Sequence, residues 1–126
     1  MCVDDHYGLQ FNHRRQSRDS ALIADVLEQA GTVWLHPSSA GLFPGGAAVN
    51  ADVDFLSKAG IGEWCFAEDR AYLEYADKIE KIVLYRWNRV YPRDMTFQFP
   101  GQWKLAESQD FPGSSHEKIT REVYIQ

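Results

Sequence analysis

The spacing of apolar residues divides the first part of the chain into a helix, a strand and a loop. Over 19–30 the apolar residues recur at three- and four-residue intervals, and Gly31 follows where a helix stop is expected. This spacing predicts an amphipathic helix. The residues at 32–36 (TVWLH) then predict a short strand, and 38–50, rich in Gly, Ser and Pro, predict a loop.

The middle of the chain shows the same alternation of helix and strand patterns. Asp52 is placed to cap a short helix that runs through Ala59. Residues 63–67 (EWCFA) predict a second strand. Over 70–80 the apolar residues share one helical face, whereas the continuous apolar run 82–85 (IVLY) is typical of a strand covered on both faces.

The last third of the chain predicts strands without helices between them. Apolar and polar residues alternate over 95–99, and 103–105 and 123–125 are further strand candidates. Strands that alternate with helices, followed by strands alone, indicate a mixed sheet packed against helices. We therefore predict a small single α/β domain over 1–126, with mixed α+β as the alternative. It should contain about five to six short strands and two to three helices.

The negative charge of the chain is concentrated in its centre. The net charge is −5, and residues 51–80 carry eight acids and three bases, which accounts for all of it. Such an acidic zone repels a phosphate backbone and attracts a basic partner, so duplex nucleic acid is disfavoured. The simpler interpretation is a solvated helix face that aids solubility.

Several functional classes find no support in the sequence. No apolar run is long enough to cross a membrane, and the polar start lacks the features of a signal peptide. Cys2 and Cys65 form neither a disulfide framework nor a metal motif, so no metal or other cofactor is expected. Neither a P-loop nor the serine-hydrolase elbow motif is present. A reduced, cytoplasmic protein is the simplest prediction.

The first segment that draws attention is 81–94, which passes from an apolar run into alternating Arg and aromatic residues. Its side chains Arg86, Trp87, Arg89 and Tyr91 combine guanidinium groups with stacking surfaces. Such groups recognise carboxylates or phosphates, and they also act as anchors in protein interfaces. The alternative is that the aromatic residues belong to the core and the arginines pair with nearby acids.

The second segment is 114–124, which the sequence leaves open between helix and strand. Ser114 and Glu117 fit a capping box and so a helix start. As a strand, the same residues place His116, Lys118 and Thr120 on one face. A third basic segment, 11–19, contains His13, Arg14, Arg15 and Arg18; it either joins the other bases in space or is a solvated approach to the first helix.

The first functional hypothesis is a small acidic inhibitor that resembles immunity proteins, antitoxins or phage inhibitors only at the level of class. It would capture a basic protein partner electrostatically. The predicted partner-binding residues combine the acidic zone with the aromatic-Arg patch: Glu68, Asp69, Glu74, Asp77, Glu80, Trp87, Arg89 and Tyr91.

The alternative hypothesis is a metal-independent ribonuclease or another phosphoryl-transfer enzyme that binds RNA. His116 would transfer the proton of the ribose hydroxyl, and Lys118 and Arg86 would stabilise the phosphate charge. Thr120 would supply an orienting hydroxyl. This hypothesis requires Arg86, Arg89, His116, Lys118 and Arg121 to converge in one concave site. Convergence would favour the enzyme, and dispersal would argue strongly against it.

Overall fold

The computed structural model describes residues 1–126 and contains fourteen helices and strands. The ten strands are β1 (Cys2–Val3), β2 (Gly8–Phe11), β3 (Arg14–Arg15), β4 (Val33–Leu35), β5 (Val49–Ala51), β6 (Trp64–Phe66), β7 (Ile82–Arg86), β8 (Met95–Thr96), β9 (Lys104–Phe111) and β10 (Ile119–Ile125). The α-helices are α1 (Ser20–Ala30) and α2 (Phe55–Lys58), and two 3-10 helices span Pro37–Leu42 and Arg70–Lys78.

The strands form three sheets. The largest has the order β1-β7-β10-β9, in which β1 runs parallel to β7 and the other pairs are antiparallel. A second sheet, β5-β4-β6, is entirely parallel. The third, β3-β2-β8, is antiparallel and contains the β2–β3 hairpin. The predicted mixture of helices with a mixed sheet is confirmed, with more strands than the pattern indicated.

Helix α1 packs its apolar face into the larger of two core clusters. Leu22, Ile23 and Val26 are buried there together with Val33 and Leu35 from β4. Asp19 is the N-cap of α1, and its side chain accepts hydrogen bonds from the amides of Ala21 and Leu22. The first helix therefore lies where its apolar period and the glycine at its end predicted it.

The second core cluster lies on the opposite side of the four-stranded sheet. It contains Leu84 of β7, Phe97 and Tyr72, and the rings of Tyr72 and Phe97 stack at 5.4 Å. The predicted helix at 70–80 is a 3-10 helix broken by non-helical dihedral angles at Tyr75. It follows that Tyr72 is held by this aromatic packing and by its hydrogen bonds to Gln98 more than by a regular helix.

An apolar hollow of about 360 Å³ lies between β6 and the start of β7. Cys65 lines it, while Cys2 of β1 packs against the larger core cluster, and both thiols are free. The parallel sheet and the four-stranded sheet are thus joined by side-chain packing rather than by a backbone ladder.

The C-terminal third differs most from the sequence prediction. Strand β9 runs over Lys104–Phe111, far beyond the predicted 103–105, and β10 begins at Ile119. Residues 114–117 form bends, so the capping-box alternative for this segment is wrong, and the strand alternative holds only from Ile119 onward, without His116 and Lys118. None of the helices is both long and apolar enough to cross a membrane.

Candidate functional site

A polar cleft lies beyond the carboxyl ends of the parallel strands β4 and β6. Ligands of sheets with parallel strands commonly bind outside this end. The cleft has a volume of about 390 Å³. Its wall is formed by residues that follow the two strands and by the β2–β3 hairpin, among them His13, Arg14, Arg15, Ser38, Ser39 and Glu68.

The hairpin carries basic side chains to the cleft through a tight two-residue turn. Asn12 and His13 connect the paired residues Phe11 and Arg14, with φ of 52° and 61°. Two positive φ values define a type I′ turn, which suits Asn but is strained for most other residues. The side chains of His13 and Arg14 are exposed and have no ion-pair partner. Two unpaired basic groups therefore stand at the cleft.

Arg15, unlike Arg14, ties the hairpin to the parallel sheet. Its guanidinium donates to both carboxylate oxygens of Glu68, at 2.8 and 2.9 Å, and to the Ser38 carbonyl at 3.0 Å. The hydroxyl of Ser39 donates to the same carboxylate at 2.6 Å. These hydrogen bonds raise the pKa of Arg15. The pairing neutralises Glu68 and prearranges the walls of the cleft.

A second polar cluster is buried where the 114–116 segment meets the start of α1. The Asp19 carboxylate accepts from the amides of Ser114 and Ser115 at 3.0 and 2.8 Å and from Nδ1 of His116 at 3.0 Å. Burial opposes ionisation, but these hydrogen bonds outweigh it and hold the pKa of Asp19 well below its ordinary value. Asp19 is therefore ionised and acts only as an acceptor.

The ionised Asp19 determines which nitrogen of His116 carries the proton. In the neutral imidazole, Nδ1 donates to the carboxylate and Nε2 is left as an acceptor. Nε2 lies 3.1 Å from the Ser17 hydroxyl and 2.9 Å from the Tyr91 hydroxyl. The imidazole stacks on Trp87 at 4.7 Å between ring centroids, and its side chain is only 3% exposed. The ring is consequently held from both edges and from one face.

The residues predicted for phosphate chemistry do not converge. Arg86 donates to Glu122 at 2.6 Å, and Arg121 pairs with Asp25 of α1 at 2.8 Å. Strand register places these two arginines on opposite faces of the sheet, because Thr120 is the residue opposite Arg86.

Among the remaining residues of the ribonuclease hypothesis, Lys118 and Thr120 meet at one carboxylate, but His116 lies elsewhere. Lys118 is 58% exposed beside Asp110, Thr120 donates to the same carboxylate at 2.7 Å, and Arg89 is exposed. His116 is buried against Asp19. The structure therefore does not assemble the pocket that this hypothesis requires.

The residues predicted to bind a partner have several different environments. Trp87 is 4% exposed and lies beneath His116, Tyr91 is half-buried, and Glu68 is engaged by Arg15. The exposed members of the set are Asp69, Glu74, Asp77, Glu80 and Arg89. Asp69 caps the 3-10 helix by accepting from the Ala71 amide at 2.9 Å, and Glu80 accepts from the Gly62 amide at 2.9 Å.

Neither polar region offers a ready metal site, since no group of three or more His, Cys, Asp or Glu side chains is arranged to hold an ion. Ser17 and Asp19 were not predicted as site residues. Asp19 was identified only as the start of α1, and nothing in the sequence signals its pairing with His116, 97 positions away.

Comparison with known proteins identifies the fold. No family model matches the sequence, and no curated protein matches it. The structure is similar to dihydrofolate reductase from Enterococcus faecalis complexed with NADP(H) and RAB-propyl, with a TM-score of 0.68. The similarity covers 98% of this chain and 92% of that chain at 10% sequence identity. At this identity the likeness establishes the fold alone, a dihydrofolate reductase-like fold.

This finding corrects the first functional hypothesis. The prediction of a small immunity- or antitoxin-like inhibitor is wrong, because nearly the whole chain matches the fold of an enzyme. The burial of Trp87 and the pairing of Glu68 also remove two of the anchors on which the hypothesis depended. A basic protein partner stays a prediction that neither the structure nor the comparison tests.

Proposed function

We propose that the protein is an enzyme that binds a phosphate-bearing nucleotide in the cleft beyond β4 and β6. The observation that carries the proposal is the unpaired guanidinium of Arg14 at the wall of this cleft. Arginine presents a fork of donors that matches phosphate oxygens. A free guanidinium at the carboxyl end of parallel strands is thus placed to bind an anionic ligand.

The charges around the cleft favour an anion on the hairpin side. The charge of Glu68 is neutralised by Arg15, and a carboxylate oxygen of Asp69 accepts a hydrogen bond from the Ala71 amide. His13 and Arg14 have no such partners and stand next to each other at the tip of the hairpin. We therefore assign the phosphate groups to the hairpin side, and the sugar or base to the side formed by Ser38, Ser39 and the buried ring of Phe66.

The similarity in fold supports a nucleotide as the ligand class, since the Enterococcus faecalis reductase is complexed with NADP(H). The cleft, at about 390 Å³, lies within the range of roughly 300–1,000 Å³ that is usual for ligand sites. The residues present fit the phosphate-bearing part of such a molecule. When bound, a nicotinamide nucleotide supplies a hydride; the contacts assigned to this chain are to phosphate and sugar. A cytoplasmic location, where such nucleotides occur, is part of the proposal.

Calorimetric titration with NADPH and with 2′,5′-ADP tests the proposal. Arg14→Ala removes the free guanidinium, and hydrogen bonds to charged groups contribute about 1.5–3 kcal/mol. We expect the variant to bind both nucleotides about 10- to 100-fold more weakly, because about 1.4 kcal/mol corresponds to tenfold.

The matched control is Lys104→Ala, which removes one positive charge from an exposed residue of the outer strand β9. It should bind like the unaltered protein. Absence of binding at millimolar nucleotide, or an equal loss in both variants, would show that the cleft is not a nucleotide site.

A further inference from the structure

Ser17 lies at one end of a hydrogen-bonded chain, the Ser17–His116–Asp19 relay, which is not part of the proposed nucleotide site. Its hydroxyl is 3.1 Å from Nε2 of His116, and Nδ1 of the same ring is 3.0 Å from Asp19. Because Asp19 fixes the proton on Nδ1, Nε2 presents its lone pair to the hydroxyl. A hydroxyl, an imidazole and a buried carboxylate in this order are the arrangement that activates a serine nucleophile.

The imidazole is held by contacts on its face and on both nitrogens. Trp87 covers one face of the ring, and Asp19 receives the amides of Ser114 and Ser115 in addition to Nδ1. A general base works best when its orientation is fixed before the substrate arrives. In this cluster the carboxylate, the ring and the loop that carries it are all fixed by buried contacts.

Donors for a developing oxyanion stand beside the serine. The backbone amides of Ser17 and Arg18 lie outside the helices and strands and donate to no acceptor within the chain. Ser17 is half-buried and Arg18 is exposed, so these amides are open to a ligand or to water. The amide of the residue after the nucleophile commonly forms part of an oxyanion hole in serine hydrolases.

Two hollows adjoin Ser17. Ser17 is half-buried and lines a narrow hollow of about 20 Å³. A larger hollow of about 530 Å³ is lined by its neighbour Gln16 and by Tyr91. The Tyr91 hydroxyl lies 3.5 Å from the Ser17 hydroxyl, so Tyr91 contacts both the larger hollow and the relay.

We propose that Ser17, with His116 as its base and Asp19 as a positioning residue, is a nucleophile for acyl transfer from small carboxylic esters or thioesters. The Ser17 oxygen forms a bond to the acyl carbon, and its proton passes to Nε2 of His116. The bond to the leaving alcohol or thiol breaks, and that group takes the proton from His116. Water, deprotonated by the same nitrogen, then forms a bond to the acyl carbon; the bond between this carbon and Ser17 breaks, the acid leaves, and the Ser17 oxygen takes the proton back from His116.

Tyr91 is the competing donor at Nε2, since a neutral imidazole nitrogen accepts along one lone pair. Removing the Tyr91 hydroxyl leaves Ser17 as the sole donor to this nitrogen. Tyr91→Phe is therefore expected to increase the reactivity of Ser17. This expectation separates a serine nucleophile from a tyrosine acid at the same histidine.

The direct test is labelling with a fluorophosphonate, in which the serine oxygen displaces fluoride from phosphorus. We expect one label per molecule, located on Ser17 by mass spectrometry of the peptides. Ser17→Ala should lose the label and the hydrolysis of p-nitrophenyl acetate, whereas Ser57→Ala, an exposed serine bonded only to the Asp54 carbonyl, should keep both. A label on other serines, no label at all, or a label lost in Tyr91→Phe would overturn the proposal.

The positioning by Asp19 is tested by the labelling rate per folded molecule. Asp19→Asn no longer fixes the proton on Nδ1, and we expect the rate to fall at least about a hundredfold. Ser114→Ala removes one hydroxyl donor to the same carboxylate but keeps the Ser114 amide and Nδ1 of His116 as donors, so the rate should fall much less than in Asp19→Asn. Equal rates in Asp19→Asn and the unaltered protein would assign Asp19 a structural role only. The measurement involves no nucleotide, so its outcome is independent of the cleft beyond β4 and β6.

Discussion

Two polar regions of the protein, the cleft beyond β4 and β6 and the buried Asp19–His116 cluster, differ in how fully their groups are paired. In the cleft, Arg15 is paired with Glu68, while His13 and Arg14 have no partner. In the buried cluster both oxygens of the Asp19 carboxylate and both nitrogens of His116 are hydrogen-bonded. The cleft can therefore gain contacts from a ligand without losing any, whereas removing Asp19 or His116 from the cluster breaks contacts that already exist.

The two regions should therefore respond differently when their residues are changed. The side chains of exposed groups without partners contribute little to stability, so removing them should alter binding and change the free energy of unfolding only slightly. Buried groups that satisfy several neighbours at once leave those neighbours unpaired when they are removed. Substitutions in the two regions should accordingly have opposite profiles in denaturation and in ligand titration.

The largest effect is expected from Asp19→Ala. The change leaves the amides of Ser114 and Ser115 and the N-terminus of α1 without their acceptor. Removing one partner from a buried charged network costs about 3–5 kcal/mol. Urea denaturation should show a drop of this size in the free energy of unfolding.

The same carboxylate gives the stability a defined dependence on pH. Because the pKa of Asp19 is lowered in the folded state, its contribution is complete above the ordinary aspartate pKa of about 3.9. It is lost progressively as the pH falls below that value. Asp19→Ala should flatten the acid side of the stability curve. An unchanged acid slope would mean that the ionised carboxylate is not the acceptor that stabilises the cluster.

A smaller loss is expected from Gly113→Ala, which adds one methyl group at the edge of the same cluster. A Cβ atom there would lie 2.6 Å from both the Asp19 carboxylate and the His116 carbonyl. Overpacking of this kind costs about 1–3 kcal/mol. Gly45→Ala is the control, since a Cβ at Gly45 meets nothing within 4 Å. Equal thermal midpoints for the two variants would contradict the close packing around Asp19.

The smallest change, and the only gain, is expected in the hairpin. His13 has φ of 61°, which costs an L-residue about 1–2 kcal/mol. His13→Gly removes that strain at an entropic cost of about 0.5–1 kcal/mol. We expect the free energy of unfolding to rise by about 0.5 kcal/mol, measured by urea denaturation. A clear loss of stability would mean that the His13 side chain supports the turn and is not free for a ligand.

The sequence predicted the elements whose local pattern and final packing agree. Helix α1 has a regular apolar period, a capping aspartate and a glycine stop, and it occupies Ser20–Ala30. Strand β9 was predicted poorly because its residues are mostly polar and exposed at the edge of the sheet, so no alternation marks them. The 70–80 segment has a helical apolar face, but aromatic packing holds it in a broken 3-10 helix.

The candidate sites were predictable only where one short segment supplies the residues. The basic run 11–19 contains the residues of the cleft that are now assigned to phosphate, although the sequence could not distinguish Arg14 from its paired neighbour Arg15. The relay could not be predicted, because Ser17 and His116 are 99 positions apart and meet only through the fold. Arg86 and Arg121 were misleading for a related reason: strand register directs them to opposite faces.

The two cysteines lie in different sheets, Cys2 in β1 of the four-stranded sheet and Cys65 in β6 of the parallel sheet, and their thiols can report on local opening. Burial raises the pKa of Cys2 to about 12 and that of Cys65 to about 11, so both thiols stay protonated at neutral pH. A protonated, buried thiol reacts slowly with alkylating reagents until its strand leaves the sheet. The alkylation rate of Cys2 should therefore report how often β1 leaves its sheet, and that of Cys65 how often β6 does.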